Sequence, residues 1–151
     1  MGRLLSVVEQ FLTADDWNFE QIEDKDILKT GVRADNGTYL LFFDVKEEPE
    51  QVILYVIYEE NVPEDKRAAV AEFLTRANYP LIIGNFEMDF RDGEVRYKVS
   101  IDIEGGLLVP KMVENMISAG VRTADWFYPG FQSVLEGRQS PEHAIAALQP
   151  N

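Results

Sequence analysis

Residues 82–103 decide the fold and read IIGNFEMDFRDGEVRYKVSIDI. Apolar and polar residues alternate on both sides of Asp92-Gly93, as in two half-buried β-strands joined by a tight turn. With Asp92-Gly93 as a two-residue loop, three oppositely charged pairs face each other: Arg91 with Glu94, Asp89 with Arg96, and Glu87 with Lys98. The core face of the same register pairs Phe90 with Val95. The sequence therefore predicts an antiparallel hairpin whose register is specified by both charge and apolar pattern.

The segments before this hairpin predict one helix and then several strands. Apolar residues recur at helical spacing from Leu4 to Leu12, and extended segments follow at 27–34 and 38–45. Between these two strands, Asn36-Gly37 suits the positive φ values of a type I′ turn. Residues 52–58 are apolar on both alternating faces, so we expect a central strand that is covered on both sides, at least in part.

Proline residues mark where the later helices begin and end. Pro63 opens a second helix, which Asn78-Tyr79-Pro80 ends. Pro110 opens a third helix, with a break or bend expected at Gly120. Ser140 is expected to cap a last short helix.

The order of elements predicts the fold class. Strands and helices follow as α-β-β-β(-β)-α-β-β-α rather than alternating singly, which is typical of an α+β fold. We expect one domain over residues 1–151, with an antiparallel sheet and helices packed on one of its faces.

The net charge of the chain indicates which classes of partner to expect, and its N-terminus indicates the compartment. The 27 acidic residues exceed the 14 basic ones, which gives a net charge of −13. Residues 1–60 hold 14 of the acidic and 5 of the basic residues. Such a field repels phosphate backbones and anionic membranes, so neither nucleic acid nor a membrane is an expected partner. The N-terminus lacks the apolar core of a signal peptide, and a cytoplasmic protein is predicted.

The chain offers little for catalysis or for metal binding. It has no Cys and a single His, His143, so disulfides, thiolate chemistry and multi-His metal cages are excluded within one chain. The acidic clusters Glu23-Asp24-Asp26 and Glu47-Glu48-Glu50 lack EF-hand spacing and are expected to be solvated loops. Neither a nucleophile elbow, a P-loop nor a dinucleotide fingerprint occurs. No catalytic residue, metal ligand or cofactor is predicted.

Aromatic and Met residues late in the chain are the candidate binding residues. They are Trp126, Phe127, Tyr128, Phe131, Met112 and Met116. Pro129-Gly130 is expected to interrupt the aromatic run. Aromatic side chains with polar tips often anchor interfaces, although packing in the core is their commoner role.

Several short runs match the pattern of a known family: Val62-Pro63-Glu64, Lys66-Arg67, Asn78-Tyr79, Gly84, Phe86-Glu87 and Asp92-Gly93-Glu94-Val95-Arg96-Tyr97-Lys98. Through them the chain resembles the bacterial YbjN family over nearly its whole length. The resemblance implies a compact domain similar to type III secretion chaperones, with helices on one face of an antiparallel sheet. It also implies a regulator of sensory transduction or stress responses, and it carries no catalytic motif.

Two functions remain open at this point. The first is a non-enzymatic, homodimeric protein-binding module, chaperone-like or a regulatory adaptor, which rests on the resemblance and on the aromatic residues. The second is a small-ligand-sensing domain with an apolar pocket between the sheet and the third helix. Met112 and Met116 would line that pocket, because Met side chains adapt to irregular ligands.

Overall fold

The computed structural model describes residues 2–148. The elements are α1 (Arg3–Ala14), β1 (Phe19–Gln21), β2 (Ile27–Arg33), β3 (Thr38–Lys46), β4 (Gln51–Ile57), α2 (Arg67–Asn78), β5 (Asn85–Met88), β6 (Val95–Asp102), α3 (Pro110–Leu135) and α4 (Pro141–Leu148). A short 3₁₀ turn, Glu64–Lys66, precedes α2. As predicted, the Ser140 hydroxyl caps α4, accepting the His143 N–H at 3.2 Å.

The six strands form one antiparallel sheet in the order β1-β2-β3-β4-β6-β5. The helices cover one face of this sheet, which confirms the predicted α+β fold. In the inner strands β3 and β4, buried residues alternate with exposed or partly exposed ones. The expectation that residues 52–58 are covered on both sides is wrong in this respect, because Ile53, Tyr55 and Ile57 lie on the uncovered face.

The predicted β5–β6 hairpin forms with a different register. Met88 lies opposite Val95 and Glu87 opposite Arg96, so each residue of β6 faces a residue two positions earlier than predicted. The predicted two-residue loop is therefore wrong. A shift of two residues keeps the paired side chains of β5 and β6 on their predicted faces, whereas a shift of one would have reversed the faces. Glu87 consequently bonds both Arg96, at 2.7 Å, and Lys98, at 3.3 Å.

Local hydrogen bonds explain the longer loop. The Gly93 N–H donates to the Asp89 carbonyl at 2.7 Å, which closes a turn around residues 90–93. The Arg91 guanidinium and Arg91 N–H both bond the Asp89 carboxylate and hold its pKa at about 2. Asp89 therefore pairs within the turn rather than with Arg96, and Phe90 lies exposed instead of on the core face.

The long helix α3 continues through both positions where a break or an interruption was expected. At Gly120 it packs directly on the sheet, since a Cβ atom there would lie 3.0 Å from Val56. Pro129 has no N–H to donate to the carbonyl four residues earlier. That carbonyl, of Asp125, accepts the Asn36 side-chain amide at 3.0 Å instead. The helix thus loses one internal bond without leaving the carbonyl unpaired.

One acidic cluster has a structural role that the sequence did not indicate. The Glu47 carboxylate accepts the N–H groups of Leu4 at 3.2 Å and Leu5 at 3.0 Å, and Glu50 pairs with Arg3. A carboxylate at this end of a helix satisfies free N–H groups and the helix dipole. The expectation of a purely solvated loop is wrong for Glu47, which anchors α1 to the β3–β4 connection.

Candidate functional site

The aromatic run of α3 divides between the core and the surface. Phe131 is fully buried, and Phe127 and Tyr128 are nearly so. Trp126 is 51% exposed. Each residue of a helix is rotated by about 100° from the one before, so neighbouring aromatic residues face different surroundings. Of the four aromatic candidates, Trp126 is available to a partner in this fold.

The two Met candidates lie on the inner side of the same helix. Met116 is buried, and Met112 is partly buried and packs against the core. The close contact between Gly120 and Val56 brings the helix backbone onto the sheet beside them. Both Met side chains are therefore used in packing α3 on the sheet, and this geometry gives the small-ligand alternative no support.

Trp126 lies beside exposed apolar residues of the α2–β5 loop. Ile82 is 96% exposed and Ile83 is 55% exposed. Leu81, Ile83 and Trp126 line one groove of about 1000 Å³. We call Leu81, Ile82, Ile83 and Trp126 the Trp126 patch. Clusters of exposed apolar side chains on a soluble domain mark interaction surfaces more often than single ones do.

The loop that carries these Ile residues is anchored at its base. The Asn78 side chain accepts the Phe86 N–H at 2.6 Å and donates to the Phe86 carbonyl at 3.0 Å. The Tyr97 hydroxyl donates to the Ile83 carbonyl. Gly84 has a φ of +71°, and a Cβ atom there would collide with the Tyr97 ring. The apolar side chains are therefore presented on a fixed backbone.

The sequence pattern missed this loop because residues 82–84 continue the alternation of the strand that follows. In the structure β5 begins only at Asn85. Pro80 and Gly84 could have separated the loop from the strand, because Pro and Gly often mark the two ends of a loop.

A buried carboxylate fixes the rotation of α3 and hence the direction in which Trp126 points. The Asp125 carboxylate accepts the Asn36 N–H at 2.8 Å and the Asp35 N–H at 3.2 Å, and it accepts the Tyr39 hydroxyl at 2.7 Å. These bonds close the β2–β3 turn, in which neither Asn36 nor Gly37 has a positive φ. The predicted type I′ turn is therefore wrong. The N–H groups of Asp35 and Asn36 bond the Asp125 carboxylate of α3 instead.

Three Tyr residues surround this carboxylate and fill the space behind the turn. The ring centroids of Tyr58 and Tyr128 are 5.0 Å apart, and those of Tyr39 and Tyr128 are 5.5 Å apart. Burial raises the pKa of Tyr39 above its ordinary value, and the hydrogen bond to Asp125 raises it further. Burial likewise raises the pKa of Tyr128, whose hydroxyl donates to Glu60 at 2.6 Å. The Tyr hydroxyls therefore keep their protons at neutral pH, and the three rings hold α3 to the sheet.

The rim of the groove beside Trp126 is polar but carries little net charge. Asn115, Ser118 and Ala119 line it from α3, together with Arg122. Within residues 2–148, Arg122 forms no ion pair with a carboxylate. Asp35 lines the opposite rim. The groove thus combines an apolar wall with three charged residues, Asp35, Arg122 and Asp125.

Across residues 2–148, no three Asp, Glu or His side chains come together in an arrangement suited to a metal ion. None of the helices in that same range has both the length and the apolar character needed to cross a membrane.

The fold is an α+β domain with a single antiparallel sheet covered by helices on one face. The chain belongs to the YbjN family, whose model is described as "Putative bacterial sensory transduction regulator" and matches residues 4–133. A similar solved structure is that of YbjN, "a putative transcription regulator from E. coli", with a TM-score of 0.61 and 13% identity. That likeness covers 87% of this chain and 89% of the other. A search of curated proteins finds no match.

Proposed function

We propose that this chain is a non-enzymatic regulatory protein that pairs with a second copy of itself through the Trp126 patch. The observation that carries the proposal is the exposure of Ile82, Ile83 and Trp126 on an anchored backbone. Burying an apolar side chain of this size stabilises an association by roughly 1.5–3 kcal/mol. A fixed loop also loses little conformational entropy when it binds.

The shape of the surface supports a second copy as the occupant. The patch has exposed apolar side chains, Ile82 and Trp126, and a groove lined by Leu81, Ile83 and Trp126 itself. In a two-fold symmetric interface, one surface supplies both the apolar side chains and the groove that receives them.

The charge distribution supports the same occupant. Two copies that each carry a net charge of −13 repel one another wherever acidic residues meet. Residues 77–86 carry no charged side chain, and Arg122 is the one charged residue that α3 contributes to the groove rim besides Asp125. Since Asp125 already bonds three donors and the charge of Arg122 offsets that of Asp35, the patch is a surface on which two copies can meet with little repulsion.

The use of the buried polar groups supports a role without catalysis. The carboxylate of Asp125 bonds two backbone N–H groups and one hydroxyl, and the hydroxyl of Tyr128 bonds Glu60. Both carboxylates hold structural elements together, and the second oxygen of Glu60, Oε1, is buried without a partner among the described residues. A regulatory role agrees with the description of the family.

Sedimentation equilibrium of the whole chain over a range of concentrations tests this proposal. We expect a dimer for the wild type, and an association at least a hundredfold weaker for the Ile82→Ser, Trp126→Ala double variant. That estimate follows from losing two contacts of roughly 1.5–3 kcal/mol each, at about 1.4 kcal/mol per tenfold. Leu107→Ser, which changes an exposed apolar residue elsewhere, is the matched control and should remain dimeric.

Circular dichroism of the double variant distinguishes a lost interface from a lost fold. The spectrum should match that of the wild type, because both side chains are at least half exposed. A wild-type protein that sediments as a monomer at every concentration would contradict the proposed dimer.

A further inference from the structure

The face of the sheet opposite the helices carries an uncovered apolar stripe. Its members are alternate residues of β3 and β4: Leu40, Phe42, Ile53, Tyr55 and Ile57. Leu40 lies directly opposite Ile57, and Phe42 directly opposite Tyr55. Leu40 is 44% exposed, and the other four are partly exposed. We call these five residues the open-face stripe.

Basic residues flank the open-face stripe on both sides. On β2, Lys29 lies beside Phe42, and Arg33 follows on the same face. On β6, Lys98 lies opposite Tyr55, and Arg96 places its guanidinium 4.1 Å from the centre of the Tyr55 ring. The stripe is thus bounded by a basic row of two residues on each neighbouring strand, in which Lys29 also pairs with Glu20, and Arg96 and Lys98 with Glu87.

The charge of this face differs in sign from that of the rest of the chain. The strand residues on the open face include five basic and four acidic side chains: Lys29, Arg33, Lys46, Arg96 and Lys98, and Glu20, Asp44, Glu87 and Asp102. Since the whole chain carries −13, a face at +1 leaves −14 on the remainder. An acidic partner is therefore repelled by most of the surface and is accepted at this face.

The spacing of the two basic rows fits an α-helix. Strands β2 and β6 are three strand spacings apart, or about 14 Å at the usual distance between strands. A helix with its side chains is about 10–12 Å across, so it can lie on the stripe and reach both rows. A single extended strand is too narrow to reach both rows at once. Helices already pack on the other face of this sheet in a layer of the same kind.

Gly31 leaves a hollow in this face that the fold does not require. It lies on β2 directly opposite Leu40, and the nearest atom to an added Cβ is the Tyr39 carbonyl oxygen at 3.5 Å, an ordinary contact. Packing therefore does not demand glycine here. The adjoining depression of about 700 Å³ is lined by Gly31, Arg33, Leu40 and Ile57.

We propose that the open-face stripe is a docking site for an amphipathic, acidic α-helix of a partner protein. The apolar side of the helix covers Leu40, Phe42 and Tyr55, and one large side chain enters the hollow at Gly31. Acidic side chains along both edges of the helix meet the two basic rows. The bound helix completes a third layer over the sheet.

A matched pair of synthetic peptides tests this proposal with the full chain. Each has about 14 residues, which spans the stripe at 1.5 Å per residue, and is held helical by a hydrocarbon staple. Both carry the same Leu face, flanked by Glu in one peptide and by Lys in the other. By fluorescence anisotropy, we expect the Glu peptide to bind at least tenfold more tightly than the Lys peptide.

Variants of the chain locate the binding. Leu40→Ser with Tyr55→Ser should weaken binding of the Glu peptide at least tenfold, and Gly31→Gln should weaken it by filling the hollow. Trp126→Ala should leave it unchanged, which separates this site from the proposed dimer surface. Thermal unfolding of each variant checks that the fold is kept. Lys29→Glu with Arg33→Glu should reverse the preference toward the Lys peptide.

Several results would overturn the proposal. These are equal binding of the two peptides, no binding of the Glu peptide at millimolar concentration, and binding that survives both the Leu40→Ser, Tyr55→Ser change and Gly31→Gln. A change of oligomeric state in the Leu40→Ser, Tyr55→Ser variant would also overturn it, because the stripe would then be an interface between copies of this chain.

Discussion

Trp126 and Phe131 lie five residues apart on one helix and differ in almost every other respect. The Phe131 ring is completely buried and its centroid lies 4.6 Å from that of Tyr58. The Trp126 side chain is half exposed and lines an open groove. The comparison shows that one aromatic run contributes both to the stability of the domain and to a surface available to partners. The inner side of α3 should therefore control folding and the outer side should control association.

The largest expected effect on stability comes from the inner side. Phe131→Ala removes a fully buried ring and leaves a cavity, so we expect the free energy of unfolding to fall by about 3–5 kcal/mol. Urea unfolding followed by circular dichroism measures this loss. A loss below about 1 kcal/mol would mean that the inner aromatic residues do not hold the fold.

A smaller loss is expected from the carboxylate that joins α3 to the β2–β3 turn. Asp125→Ala leaves the N–H groups of Asp35 and Asn36 and the Tyr39 hydroxyl without their acceptor. We expect the free energy of unfolding to fall by about 2–3 kcal/mol. Asp35→Ala is the control, since it keeps the backbone N–H, and it should change stability by less than about 0.5 kcal/mol. Equal effects of the two changes would contradict the role assigned to Asp125.

The buried Tyr residues predict how stability depends on alkaline pH. Burial raises the pKa of Tyr39, Tyr58, Tyr97 and Tyr128 above 10.0 in the folded protein. The unfolded chain releases these protons near pH 10 while the folded protein keeps them, so this contribution to stability is complete well below pH 10 and is lost as the pH rises through 10 and beyond. From pH 9 to pH 10 we expect a loss of about 1 kcal/mol in urea unfolding.

Absorbance of the phenolate group provides an independent check of the same prediction. These four side chains should ionise only at a higher pH in the folded protein than in urea. Coincident titration curves for the folded and unfolded chain would contradict the burial of the cluster.

The smallest expected effect on stability belongs to the outer side of α3. Trp126→Ala should lower the free energy of unfolding by less than about 1 kcal/mol, because the side chain is half exposed. The same change should weaken self-association. A loss of stability as large as that of Phe131→Ala would show that Trp126 belongs to the core, and the distinction between the two sides of the helix would fail.

Local patterns in the sequence were sufficient to predict most elements and the fold class. The helical spacing from Leu4 to Leu12 and the proline residues Pro63 and Pro110 mark helices that the structure contains. The alternation over 82–103 predicts which side chains of β5 and β6 face the core, because alternation depends only on neighbouring residues.

The features that the sequence pattern missed depend on residues far apart in the chain. The β2–β3 turn and the uninterrupted helix at Pro129 both rest on bonds between Asn36 and Asp125, which are 89 positions apart. Glu47 caps α1 across more than 40 positions. Only Trp126 of the Trp126 patch was predicted from the sequence. The exposure of Ile82 depends on the bond between the Tyr97 hydroxyl and the Ile83 carbonyl, which holds the loop before β5.

Site-specific crosslinking is the most direct measure of whether two copies pair through the Trp126 patch. The chain has no Cys, so a single introduced Cys reports one position. We predict that Ser118→Cys, on the rim of the groove, gives a covalent dimer with a short bismaleimide, and that Gly31→Cys, on the open face of the sheet, does not. Crosslinking at Gly31→Cys with none at Ser118→Cys would contradict this pairing.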